Sequence, residues 1–185
     1  MRVFKSQKEW EAWLRRNHGT SEGEWLKLAK KTAGGKSLTY QEAVEVALCY
    51  GWIDSQSRSL DDKSWVQRFT PRGPRSIWSK INRAKVAELI RKRKMRKPGL
   101  AAIERARENG RWKGAYDSHR TARVPGDFRL ALNKSPEAKA FFGTLNRQNR
   151  YAILFRIQTA VKPETRRKRI DRFVLMLSKG GTLYP

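Results

Sequence analysis

Residues Tyr40 to Asn82 read YQEAVEVALCYGWIDSQSRSLDDKSWVQRFTPRGPRSIWSKIN, and the periodicity changes along them decide the fold. Thr39 and Glu42 have capping-box spacing at a helix start. Ala43, Val44, Ala47 and Leu48 follow at i, i+1, i+4 and i+5, a narrow apolar stripe. Gly51 stands where a left-handed residue ends such a helix. The period then falls to two. Trp52 to Ser59 and Ser64 to Thr70 read as strands joined around Leu60-Asp61-Asp62-Lys63. In the second, Trp65, Gln67 and Phe69 share one face; Val66, Arg68 and Thr70 share the other. Pro71, Gly73 and Pro74 break the strand, and Ser76 is placed to cap a helix running to about Lys94. On that helix Trp78, Val86, Leu89 and Ile90 form the apolar side, with Asn82 among them. A buried amide needs partners, so Asn82 is expected to face inward and hydrogen-bond the backbone where hairpin meets helix.

Working outward, Ser6 and Glu9 repeat the capping pattern before a helix carrying Trp10, Trp13 and Leu14, stopped at Asn17-His18-Gly19. Glu24 to Lys30, flanked by Gly23 and Gly34-Gly35, reads as a short strand. Pro98-Gly99 opens a helix with Leu100 and Ile103, ended by Gly110. Arg111 to Arg123 is loop-like, anchored by Trp112 and Tyr116. The last third is helical: Phe128, Leu130 and Leu132 after Pro125; Phe141 and Phe142 after Ser135-Pro136. Ile153, Leu154, Ile157 and Val161 follow an Asn146 cap. Ile170, Phe173, Val174 and Leu177 follow Pro163 at i, i+3, i+4 and i+7. The expected class is α+β. It is a predominantly helical single domain over 1–185, with a small antiparallel sheet of about three strands, a mixed N-terminal half and a helical C-terminal half.

Composition narrows the function classes. Hydrophobic residues make up 38%, but seven Trp, seven Phe and five Tyr supply large buried areas from few positions. Lys and Arg number 42 against 17 Asp and Glu, a net charge of +25. Such an excess favours polyanions, meaning nucleic acid or an anionic membrane surface; a generally basic proteome or a solubility adaptation would give the same number. One cysteine, Cys49, excludes an internal disulfide and reads as a small buried hydrophobe. The start MRVFKSQKEW has no apolar run of signal-peptide length and no membrane-spanning run follows, so the expected location is cytoplasmic. His18 and His119 lie far apart without metal-ligand spacing and read as surface or capping residues. No nucleophile elbow, Walker loop or dinucleotide fingerprint is present. No cofactor and no catalytic residue is expected.

The candidate site residues are therefore basic and aromatic. Lys80, Arg83, Arg91 and Lys94 form one stripe, extended by the run Arg91 to Lys97. Lys168 and Arg172 form another, which Lys179 prolongs. Stripes of this kind neutralise phosphates with little sequence reading, although a solvated face of a Lys/Arg-rich protein has the same pattern. Arg68 and Arg72 flank the hairpin beside Trp65, whose indole in an edge strand could stack on a base. Trp52 and Trp78 read as core. Arg166 lies on the apolar side of the last helix near its N-terminus, where the dipole disfavours a cation, so it needs a carboxylate or a bound anion. Asp54 follows Trp52-Ile53; pairing with an arginine or capping a turn explains it better than acid–base chemistry.

Ala47-Leu48-Cys49-Tyr50-Gly51-Trp52-Ile53-Asp54, Arg68-Phe69-Thr70-Pro71-Arg72, Ser76 to Asn82, and Pro163-Glu164-Thr165-Arg166 together resemble the YdeI/OmpD-associated, or bacteriocin-protection, family. The resemblance runs from Phe4 to about Gly180. It implies a small bacterial cytoplasmic protein linked by name to envelope stress or bacteriocin tolerance, and it carries no catalytic residues over. Two functions follow. One is a non-enzymatic basic binding protein contacting nucleic acid or another polyanion in a stress or protection response. The other is a protein-interaction module in bacteriocin tolerance with no nucleic-acid ligand.

Overall fold

The computed structural model describes residues 1–30 and 38–185; the Gly34-Gly35 flank lies outside the described residues. The chain forms two compact units. The first comprises Met1–Ser76 and Ala84–Glu108, the second Ile77–Arg83 and Asn109–Pro185. The fold is α+β, with one three-stranded antiparallel sheet among the described residues.

In the first unit, α1 (Gln7–Asn17) is capped by Ser6, whose hydroxyl accepts from the Glu9 amide. Helix α2 (Tyr40–Cys49) has the full capping box of Thr39 and Glu42. Strands β1 (Glu24–Ala29), β2 (Trp52–Ser59) and β3 (Ser64–Pro71) pair in the order β1-β3-β2. The strand expected at an edge is therefore the central one, and both sides of Trp65 are paired, opposite Leu28 and Ser59. The register of β2 on β3 shifts between Asp54 and Ser57, a bulge beside Arg68. Over the sheet lie Phe4, Trp10, Trp13, Trp52 and Phe69, their rings in mutual contact. Trp10 and Trp52 are fully buried and keep their indole N–H groups satisfied on the carbonyls of Ala43 and His18, at 3.1 Å each. Each removes on the order of 200 Å² from water, about 5 kcal/mol of transfer free energy before chain entropy is counted.

Helix α4 (Lys97–Glu108) packs on the end of α2 with no room to spare. Gly51 turns the chain at φ +74°, and a Cβ on Gly99 would lie 2.3 Å from the Cys49 carbonyl oxygen. The Arg96 amide donates to that same oxygen at 3.1 Å.

Helix α3 spans Lys80–Arg91, shorter at both ends than its periodicity suggests. At the start, the Tyr116 amide donates to the Trp78 carbonyl and the Lys80 amide to the Tyr116 carbonyl, which holds the residues between extended. Ser79, not Ser76, then caps the helix, its hydroxyl accepting from the Asn82 amide at 3.1 Å. Asn82 is only half-buried, and the bond at this position comes from its backbone N–H; the inward side-chain bond expected of it is replaced by the serine cap. At the other end, Arg93 takes a left-handed φ of 54° and the Lys94 amide reaches back to the Leu89 carbonyl. That is a Schellman closure with arginine at the position glycine usually fills. Ile90, expected on the apolar side, is exposed.

The second unit packs α5 (Gly126–Asn133), α6 (Pro136–Thr144), α7 (Arg147–Gln158) and α8 (Pro163–Ser178) around Phe128, Phe142, Ile153, Ile157, Phe173 and Leu177. Ser135 and Asn146 cap α6 and α7 as their sequences indicate. The segment before α5 is pinned by Tyr116 on Phe155 and by Trp112 on Trp78. Among the described residues, no helix is long and apolar enough to cross a membrane.

Candidate anion-binding surfaces

The sequence stripe on α3 divides in the structure. Lys80 donates to Asp117 at 2.8 Å, and half-buried Arg83 donates to the Trp112 carbonyl at 3.0 Å while its guanidinium lies 5.0 Å over the Trp112 ring. Both belong to the second unit and both are engaged internally. Arg91 and Lys94 belong to the first unit and are exposed. Lys94 lies beyond the helix end, in the turn that Arg93 closes. Lys92 pairs with Glu88 and Arg96 with Glu11. Arg91, Arg93, Lys94 and Lys97 make no ion pair among the described residues and stand in solvent between α3 and α4.

In the second unit an open cleft of about 830 Å³ is lined by Lys80, Lys113, Arg123 and Arg166, with Asp117 as its one acidic wall residue. Asp117 is tightly held. Lys80 takes one carboxylate oxygen, the Gln158 amide the other at 2.9 Å, and Gln158 also accepts from the Asp117 backbone N–H. The Tyr151 hydroxyl donates to the Asp117 carbonyl, and burial raises the pKa of that phenol. Arg166 has the carboxylate its position calls for. It grips Asp127 through two N–H groups at 2.6 and 2.9 Å and donates a third to the Ile157 carbonyl. The Arg166 bonds hold the Asp127 carboxyl below the usual carboxylate range. Sequence reading missed Asp117, Gln158, Lys113 and Arg123. The available signal was a single acid, Asp117, inside the basic loop from Arg111 to Arg123.

The remaining candidates are scattered. Lys168 and Arg172 are exposed on α8, with Asp171 between them in sequence. Arg68 is half-buried on the central strand beside Gly23, and Arg72 is buried, with its carbonyl accepting from Arg105. Trp65 is half-buried with its ring 5.5 Å from that of Tyr40. Asp54 pairs with neither arginine; it accepts a 2.7 Å hydrogen bond from the Tyr40 hydroxyl. Trp52 and Trp78 are core residues. Burial, with help from the charge of Glu11, pushes the Cys49 thiol up to about 11, which leaves it protonated and unreactive near neutral pH. His18 caps α1, and among the described residues no cluster of three His, Cys, Asp or Glu could hold a metal.

An α+β fold carrying exposed basic surfaces is the class this geometry defines. Residues 2–102 match the family model described as Domain of unknown function (DUF8412), and the chain belongs to that family. Residues 121–180 match the model described as Bacteriocin-protection, YdeI or OmpD-Associated. The resemblance read from the sequence is thus supported over a narrower span than Phe4 to Gly180. Of its four motifs only Pro163 to Arg166 falls inside that match; the other three fall in the N-terminal one. No curated protein and no solved structure matches the chain.

Proposed function

We propose that this is a non-enzymatic binding protein that uses the basic turn between α3 and α4 to hold a polyanion, nucleic acid foremost. The supporting observation is Arg93. A non-glycine residue held left-handed costs on the order of 1 kcal/mol, and helix ends of this type are made without strain by glycine. An arginine there keeps a fourth uncompensated cation beside Arg91, Lys94 and Lys97, and a strained residue among them is what a functional surface would retain. The contacts are to phosphates, so sequence preference is weak and salt dependence steep. The YdeI/OmpD-associated match supports placing this binding in a stress or protection response.

Fluorescence anisotropy with a labelled oligonucleotide across a salt series tests the reading. Arg91→Gln with Lys94→Gln should weaken binding to every sequence alike and reduce the log–log salt slope by roughly 0.7 per lost contact on single strands, 0.9 on duplex. Arg93→Gly should weaken binding too, yet raise stability by about 0.5–1 kcal/mol as the strain is relieved. Absence of wild-type binding at low salt, or an Arg93→Gly variant of undiminished affinity, removes the proposal.

A further inference from the structure

We infer that the cleft of the second unit, between Lys113, Arg123 and the paired cations Lys80 and Arg166, is a binding site for a small organic phosphate. This goes beyond the polyanion reading and rests on different residues. Of the four cations on its wall, Lys80 is balanced by Asp117 and Arg166 by Asp127. Lys113 and Arg123 are exposed and make no ion pair among the described residues, which leaves two positive charges facing one volume. A phosphate monoester carries about two negative charges at neutral pH and neutralises both; a monocarboxylate leaves one uncompensated.

Donor geometry agrees. A guanidinium has five N–H groups and an ammonium three. Arg166 commits three, to Asp127 and Ile157, and Lys80 commits one, to Asp117. Both keep N–H groups uncommitted, and their partners fix their positions in advance, so little ordering remains to be done on binding. The charge of Asp117 is offset by Lys80 at 2.8 Å, and Gln158 occupies its other oxygen, so its repulsion of an anion is largely cancelled. At about 830 Å³ the cleft is far larger than a bare phosphate and lies within the usual range for small-molecule sites. Val124, Pro125, Ala160 and Val161 give it an apolar wall for the rest of the ligand.

The test uses the full chain labelled with nitrogen-15, titrated with adenosine monophosphate, inorganic phosphate, adenosine and succinate. Adenosine monophosphate at millimolar concentration should shift the amides of Gly110, Gly114 and Thr121, and calorimetry should return a matching affinity. Lys113→Gln with Arg123→Gln should weaken that affinity about tenfold or more at a melting temperature no lower than that of wild type. The Arg91→Gln, Lys94→Gln variant should leave it unaltered, so failure of the polyanion reading and failure of this one stay separate. Adenosine or succinate binding as well as the nucleotide would overturn the inference. So would inorganic phosphate binding as tightly, shifts confined to residues 91–97, or an undiminished affinity in the Lys113, Arg123 variant.

Discussion

Asn149 uses the whole hydrogen-bonding capacity of its side chain. Its oxygen accepts from the amides of Leu183 and Tyr184, at 2.9 and 3.0 Å, and its nitrogen donates to the Tyr184 carbonyl and to Asn146. It is buried, so truncation strands those partners out of water. Asn149→Ala should lower the unfolding free energy by about 1–3 kcal/mol in urea titration and speed amide exchange at Leu183 and Tyr184 above that at the α7 core. Arg166 and Asp127 give a pH signature. The folded pKa of Asp127 is depressed, first by its hydrogen bonds to Arg166 and then by the attraction of that charge. The pair's contribution is therefore complete above the unfolded value near 4 and disappears as pH falls through the lower folded value. Asp127 is 47% exposed, which limits that contribution to about 1 kcal/mol or less. Comparing Asp127→Asn with wild type, the midpoint difference should be present at neutral pH and vanish under strong acid. The need of Arg166 for a carboxylate was legible from its place on α8. The identity of the carboxylate was not, because 39 residues separate the two and only packing brings them together.

Elements whose signals are local came out at their sequence boundaries. The caps Ser6, Thr39, Ser135 and Asn146 all act as caps, and the hairpin strands begin and end within about a residue of their period-two runs. What failed was set by distant partners. The central position of β3 depends on β1, some forty residues earlier in the chain, which alternation alone cannot reveal. The start of α3 is delayed by pairing with Tyr116, and half of the cleft comes from a loop with no periodicity to read. The junction of α2 and α4 shows how sharply one such contact constrains the fold. A methyl group at Gly99 would meet the Cys49 carbonyl carbon at 2.8 Å as well as its oxygen, and neither can rotate away as a side chain would. Gly99→Ala, although favourable for helix propensity by nearly 1 kcal/mol, should destabilise the first unit by about 1–3 kcal/mol net. A chemical denaturation midpoint at or above that of wild type would show that the two helices separate at no cost.

Over the whole molecule, charge sets two salt dependences of opposite sign. The first unit carries 23 Lys and Arg against 12 Asp and Glu, and the second 19 against 5. A net charge of +25 on a chain of 185 residues repels itself in the compact state, and the repulsion is between exposed groups that salt screens over about 8–10 Å. Raising salt should therefore stabilise the fold, with a melting temperature rising by roughly 4–8 °C for each kcal/mol of repulsion screened in a domain of about 100 residues. The same salt should weaken polyanion binding, because counterion release drives it. The two effects separate in one thermal-melt series. In protein alone, the melting temperature should climb with sodium chloride from about 20 to 300 mM. With an oligonucleotide in excess, it should start higher at low salt and converge on the protein-alone curve as salt increases. A melting temperature indifferent to salt would mean that the ion pairs, such as Arg166–Asp127 and Lys80–Asp117, already offset the repulsion. An oligonucleotide increment that persists at high salt would mean that the contacts are not to phosphates, and the basic turn would lose its role.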